Sequence, residues 1–188
     1  GVSRNVLREA IKSMELMGMI QSCPGRGTVV KEFNLDFIFQ NVLFFTVGEE
    51  RKPIHEMLMI RKAIELSYMR QAYLALTSED IRNIRESLES IKAKWQQRIF
   101  FHADDKVFHM TLFRHLNNSV LNSLLEAIWS VDENFQREEK SKHLDNTIAK
   151  HEAIVEALER HDYEAFAKAM EAHFASGKYS GLNSFEEY

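Results

Sequence analysis

The sequence predicts a mainly α-helical fold with one short β-hairpin near its start. Among 188 residues only 7 are glycine and 2 are proline, which leaves few places for the tight turns that a β-rich fold requires. Apolar residues recur at spacings of three and four over most of the chain, as they do on one face of a helix. The length is sufficient for one well-buried domain and a small second one.

The predicted N-terminal helix begins after Ser3, whose side chain can cap it, and is closed by Gly18. Its apolar residues recur at helical spacing and are expected to form the face that packs, with Val6, Leu7, Ala10 and Ile11 at its centre.

A two-stranded hairpin is expected next. Met19 and Ile20 form a short apolar stretch, a Pro-Gly-Arg-Gly turn occupies 24–27, and the β-branched run 28–30 follows. A helix followed by a hairpin is the second half of a winged helix-turn-helix. We therefore assign residues 1–33 to the C-terminal part of such a DNA-binding domain.

The remainder, residues 34–188, is predicted to be an all-helical antiparallel bundle, with the domain boundary near 32–35. The expected breaks contain helix-ending or helix-capping residues: Gly48 and Pro53, then Thr77 with Asp80, and later Asp162. Amphipathic periodicity predicts seven helices, at about 34–46, 54–75, 78–97, 99–115, 119–139, 142–160 and 162–177.

Charge and composition restrict the classes of function. The net charge of −4 divides into +3 for residues 1–31 and −7 for the rest. A basic segment on an acidic body is typical of a phosphate-binding module joined to another domain, although scatter in a short window explains the division equally well. The single cysteine, Cys23, excludes an internal disulfide. Without an apolar run of membrane-spanning length or a leader segment, a cytoplasmic location is expected.

Arginines mark the candidate DNA-binding surface. Arg4 and Arg8 are four residues apart and share one helix face, from which basic side chains can reach base edges or phosphates. Arg26 stands between Gly25 and Gly27, and a turn of this kind can approach a minor groove closely. A solvated basic face beside a tight hairpin explains either element when it is taken alone.

Polar residues within apolar helix faces mark a candidate metal site. Asp105 and His109 lie in the stripe of Phe101, Phe108, Leu112 and Leu116, and His151 and His173 each lie on the apolar face of a later helix. Three imidazoles and a carboxylate would form a divalent transition-metal site with open positions. Alternatively, each histidine is a core residue bonded to a carbonyl, and Asp105 with His109 is a surface ion pair. The other histidines are expected at the surface: His55, His102, His115, His143 and His161.

Arg61 is the candidate for holding a carboxylate ligand. It lies with Met57, Ile64 and Tyr68 on one face of an apolar helix, and a guanidinium can bind a carboxylate through two parallel hydrogen bonds. An i,i+4 ion pair with Glu65 explains the same residue equally well.

The N-terminal pattern resembles the GntR family of transcription regulators. The matching residues are Ser3-Arg4-x-x-x-Arg8-Glu9-Ala10, then Gly18, Ile20 and the run 24–30. The resemblance implies that a recognition helix begins at Ser3 and Arg4 and that the Gly-Arg-Gly turn is the wing. It also implies two earlier helices before Gly1. The DNA-binding residues would be Ser3, Arg4, Arg8, Arg26 and Gly27.

The helical part resembles the ligand-binding domain, called FCD, of the FadR branch of that family. The matching strings are 105–109, 151–157 and 169–173. The resemblance implies a divalent transition metal such as zinc, nickel or manganese, and a small carboxylate effector held with the help of Arg61. The metal ligands would be Asp105, His109, His151 and His173.

Together these features predict a homodimeric transcription regulator whose affinity for a two-fold symmetric operator is controlled by the effector. Two alternatives are a metal-dependent hydrolase or oxygenase, and a purely structural metal site without an effector. No additional Glu or His stands at clear catalytic spacing, and an enzyme would leave the DNA-binding features unexplained.

Overall fold

The computed structural model describes residues 1–31, 51–135 and 144–175, and the mainly α-helical prediction is confirmed there. The predicted helix at 34–46, the predicted domain boundary and His143 lie outside the described residues. The elements are α1 (Arg4–Leu16), β1 (Ile20–Cys23), β2 (Gly27–Val30), α2 (Arg51–Ala75), α3 (Ser78–Gln96), α4 (His102–Phe113), α5 (Ser119–Phe135), α6 (Leu144–Glu159) and α7 (Tyr163–Phe174).

Helix α1 begins and ends as the sequence predicts. The Ser3 hydroxyl accepts from the Val6 N–H at 3.3 Å, and Gly18 leaves the helix with a φ of +71°. None of the α1 side chains is buried among the described residues; Val6 and Leu7 are each 53% exposed. The predicted packing face of α1 is therefore uncovered in this part of the chain.

The predicted hairpin is present. Strands β1 and β2 pair antiparallel, with Ile20 opposite Val30 and Cys23 opposite Gly27. The Arg26 N–H donates to the Cys23 carbonyl at 3.0 Å, closing the turn. Gly27 has a φ of +81°, which glycine adopts without a Cβ clash.

Helices α2 to α7 form the core. Helix α2 packs against α4, α5 and α7, while α3 packs against α4 and α6, and α6 lies along α7. Apolar side chains from all six helices fill the centre, and most of them are fully buried. No described helix has the length and apolar character needed to cross a membrane.

The predicted helix breaks have the expected chemistry, with one shift in position. Thr77 and Asp80 form a reciprocal capping box at the start of α3, and Asp162 caps α7. Helix α4 begins at His102 and not near residue 99. The reason is that Arg98 has a φ of +56° and the Ile99 N–H donates to the Lys94 carbonyl, so these residues close α3.

Candidate metal centre

Three histidines from three helices meet in the core. His109 on α4, His151 on α6 and His173 on α7 each offer a ring nitrogen, and these nitrogens all lie within 4.8 Å of one another. The ring centroids are 4.7 to 5.4 Å apart. Their exposed fractions are 0%, 0% and 5%. The packing of α4, α6 and α7 thus brings together residues that are far apart in the sequence.

Asp105 stands at the edge of this group. It lies one turn before His109 on α4, as the sequence predicts. One of its carboxylate oxygens faces the Nε2 atoms of two histidines. Its Oδ1 is 2.8 Å from His151 Nε2 and 3.7 Å from His109 Nε2. All four predicted metal ligands therefore belong to one cluster.

Hydrogen bonds determine which nitrogen His151 turns toward Asp105. Its Nδ1 lies 2.8 Å from the Thr147 carbonyl oxygen, and because a carbonyl can only accept, Nδ1 carries the hydrogen. In the neutral ring Nε2 then presents a lone pair to the Asp105 oxygen. Two acceptors 2.8 Å apart repel each other unless a proton or another cation lies between them.

A second hydrogen bond orients His109. Its Nδ1 is 2.7 Å from Glu65 Oε2, a carboxylate oxygen that accepts from the ring N–H. No described residue makes a hydrogen bond to His109 Nε2. A carboxylate behind a histidine, with the opposite nitrogen free to coordinate, is the usual arrangement around a protein-bound metal.

From the sequence, Glu65 is expected only as the i,i+4 partner of Arg61. The sequence does contain a signal that Glu65 has more partners, because it lies in the apolar run 63–66 of α2. A carboxylate buried there needs hydrogen-bond donors or a positive charge beside it. Glu65 is fully buried and bonds to both Arg61 and His109.

Arg61 is buried beside the cluster. Its Nε donates to Glu65 Oε1 at 2.6 Å, and its guanidinium carbon lies 3.6 Å from the centroid of the Trp129 ring. The ion pair weighed from the sequence is therefore formed. Arg61, Glu65 and His109 make a continuous chain of hydrogen bonds that leads into the histidine cluster.

Burial and neighbouring charges determine the protonation of the cluster. Burial opposes the Asp105 charge, but His151, His109 and Arg61 outweigh it and hold the pKa of this carboxyl well below its ordinary value. Burial, with the nearby His151 and His109, places the pKa of His173 well below its ordinary value. Burial also lowers the pKa of His109, although Glu65 opposes this.

Near pH 7 these directions favour an ionised carboxylate beside neutral imidazoles at His109 and His173, the forms that bind metal ions. Imidazole nitrogens with one carboxylate oxygen are a donor set suited to divalent transition metals. The residues present thus fit a metal of that class.

The sequence placed His102 at the surface, and this prediction is wrong. His102 is 4% exposed, and its ring lies 5.2 Å from that of Trp129. Its spacing contained the signal, because it precedes Asp105 by three residues and His109 by seven and so shares their helix face. His55 is half-buried, whereas His115 and His161 are exposed as predicted.

The candidate DNA-binding residues lie apart in the chain, between residues 3 and 27. Arg4 and Arg8 are exposed one turn apart on α1, after the capping Ser3. Arg26 and Gly27 are exposed at the tip of the hairpin. Basic groups on a helix and on a wing are the two parts of a winged-helix surface that contact nucleic acid.

Comparison with protein families identifies the chain. The FCD domain family matches residues 56–176, which contain the whole histidine cluster. The chain belongs to the FCD domain family. It is a transcription regulator of the GntR type with an FCD domain and not an enzyme, so the alternative of a hydrolase or oxygenase is set aside.

Relatives of this FCD regulator are similar over nearly its full length. The transcriptional regulator LutR of Bacillus subtilis is 26% identical, covering 99% of this chain and 88% of its own. The galactonate operon transcriptional repressor of Escherichia coli is 27% identical, covering 93% and 79%. A GntR structure from Streptococcus agalactiae has the same fold, with a TM-score of 0.69, 18% identity and coverage of 94% and 82%.

Proposed function

We propose that this FCD regulator binds a divalent transition metal through Asp105, His109, His151 and His173, and that a small carboxylate effector bound beside it controls affinity for operator DNA. The observation that carries the proposal is the shared direction of two Nε2 atoms. The Nε2 atoms of His109 and His151 face the Asp105 carboxylate, while their Nδ1 atoms are held by Glu65 and Thr147.

The charge of the site favours an anionic effector. With a divalent ion bound, the carboxylates of Asp105 and Glu65 and the guanidinium of Arg61 leave about one positive charge in a buried space. The metal would supply open coordination positions for a carboxylate. Arg61 would position that carboxylate, since it is buried beside the histidine cluster and a guanidinium binds carboxylates through charge-assisted hydrogen bonds.

Operator binding is assigned to α1 and the hairpin. Ser3, Arg4 and Arg8 would present the recognition helix to the major groove, and Arg26 with Gly27 would contact the backbone or the minor groove. A homodimer would read a two-fold symmetric operator, and an effector that prefers one arrangement of the dimer would change the separation of the two α1 helices. Residues 1–33 and 34–188 would form the two domains.

Metal analysis of the purified chain, coupled to a thermal-shift comparison, tests this proposal. The wild-type chain should hold about one ion, and His151→Ala should hold well below one while staying helical by circular dichroism. His161→Ala, which alters an exposed histidine, is the matched control and should retain the ion.

Carboxylates able to chelate should raise the melting temperature of the metal-loaded chain much more than that of the metal-free chain. Equal stabilisation of both forms by the same acid would contradict a shared site. Unfolding on chelation, with no acid giving protection, would instead indicate a purely structural metal.

A further inference from the structure

Trp129 on α5 lies in the middle of the polar groups of the core. It is fully buried, with the Arg61 guanidinium against its ring and the imidazoles of His102 and His109 at 5.2 and 5.3 Å between centroids. The indole Nε1–H can only donate a hydrogen bond, and no described residue accepts it. His102 Nε2, also buried, has no hydrogen-bond partner within the described part of the chain.

Two such groups side by side are costly. A buried donor without an acceptor destabilises the folded state, and buried tryptophan and histidine nitrogens normally have a partner. The histidine cluster does not supply an acceptor: the His109 ring lies 5.3 Å from the indole, but none of the described histidine nitrogens accepts the Trp129 N–H. An oxygen atom from a bound molecule would remove the cost of the Trp129 donor, and His102 could donate or accept according to its tautomer.

We propose that Trp129 and His102 bind a hydroxyl or carbonyl oxygen of the effector. This oxygen lies on the effector's carbon chain, beyond the carboxylate. The two residues thereby select polyhydroxylated acids over acids without these oxygens. This inference rests on the proposed function, since Arg61 is the group assigned to the carboxylate. The Arg61 guanidinium carbon lies 3.6 Å from the centroid of the same indole ring, so a carboxylate bound by Arg61 would bring its following atoms toward Trp129.

Calorimetry on the metal-loaded full chain tests the selectivity with three acids: gluconate, galactonate and 2-hydroxyhexanoate. All three share a six-carbon chain, a carboxylate and an α-hydroxyl, so metal and Arg61 meet the same groups in each. They differ only in hydroxyls further along the chain. At least one sugar acid should bind about tenfold or more tightly than 2-hydroxyhexanoate.

Variants connect this preference to the two residues. Trp129→Phe and His102→Phe keep an aromatic ring and remove the polar atom, and each should weaken binding of the preferred sugar acid about tenfold without changing that of 2-hydroxyhexanoate. Trp95→Phe, at the other tryptophan of the chain, is the matched control and should match the wild type. If Trp129→Phe does not fold, His102→Phe decides the result.

The outcomes separate the two proposals. Binding of 2-hydroxyhexanoate as tight as that of both sugar acids overturns the inference and leaves the metal and carboxylate proposal intact. A sugar-acid preference that survives in both variants also overturns it, and would assign the Trp129 donor to an ordered water. If none of the three acids binds the metal-loaded chain, the inference fails together with the proposed function.

Discussion

His109 and His151 are each oriented through Nδ1, one by a carboxylate and one by a backbone carbonyl. These bonds hold the rings before any ion binds, so less ordering is needed on binding. The Glu65 carboxylate also makes its histidine a stronger electron donor. Burial opposes the charge of Glu65, but Arg61 and His109 outweigh this effect, so the pKa of Glu65 lies below its ordinary value.

Glu65→Gln tests this role at the scale of one residue. The variant keeps the size of the side chain and removes the charge, so metal affinity should fall by about 10–100-fold while the fold is retained. Chelator competition measures the affinity. Glu156→Gln, on the exposed surface of α6, is the control. If the metal affinity of Glu65→Gln equals that of the wild type, Glu65 acts only as the ion-pair partner of Arg61 and has no role in metal binding.

At the scale of elements, buried Asp80 joins the start of α3 to the end of α4. Its carboxylate caps α3 with Thr77 and accepts from His115 Nε2 at 2.9 Å. It also forms an ion pair with Arg114, whose Nε lies 2.6 Å from Oδ1. Burial raises the pKa of Asp80, but the bonds from Thr77 and the charges of Arg114 and His115 outweigh this and lower it below its ordinary value of 3.8. The ionised form is therefore the one that stabilises the fold.

Asp80→Asn should lower the free energy of unfolding by about 1–2 kcal/mol near pH 7. Because the folded pKa lies below the unfolded one, the charge contribution of Asp80 is complete above pH 3.8 and is lost as the pH falls through the folded value. The difference in the free energy of unfolding between wild type and Asp80→Asn should therefore become smaller below about pH 4, as measured by urea denaturation across pH. Glu79→Gln, at an exposed neighbour, should show no such difference.

Helix α1 and the hairpin form the second group of elements to test. In a protein that carries the complete winged helix, Arg8→Ala should weaken operator binding by more than about 1 kcal/mol if Arg8 reaches a base edge. Lys12→Ala, also exposed on α1, provides the comparison. An equal loss on all DNA sequences with a shallower salt dependence would indicate a phosphate contact, and unchanged gel-shift affinities would place Arg8 away from the DNA.

At the scale of the whole molecule, the proposed control is a coupling of binding equilibria. An effector can shift the dimer only by the difference in its affinity for two arrangements, so metal, effector and operator affinities must be linked. Arg61 lies where such coupling would begin, since it contacts Glu65 on its own helix and Trp129 on α5.

Arg61→Ala should keep the metal and lose most of the thermal stabilisation by carboxylates, because it removes an anion-binding group and no metal ligand. Thermal-shift measurement of metal-loaded wild type and variant across an acid concentration series gives the result. Arg85→Ala, which removes a surface arginine paired with Glu159, should respond as the wild type does. A full carboxylate response in Arg61→Ala would remove Arg61 from the effector site.

The sequence by itself determined the features that depend on local spacing. Helix ends depend on neighbouring backbone groups, and the residues that set them here are Ser3, Gly18, Thr77 and Asp162. The four-residue spacing of Asp105 and His109 places both on one helix face. The apolar periodicity around them predicted the burial of the three cluster histidines. These inferences need no knowledge of which helices meet.

Only the tertiary structure decided which groups contact one another across helices. In the folded chain Glu65 bonds to His109, His102 is buried against Trp129, and the Arg61 guanidinium lies over the same indole ring. Each of these contacts joins residues from different helices, and helical periodicity shows which face of a helix is buried but not which partner faces it. The role of each polar group in the core therefore followed from the packing of α2, α4, α5, α6 and α7.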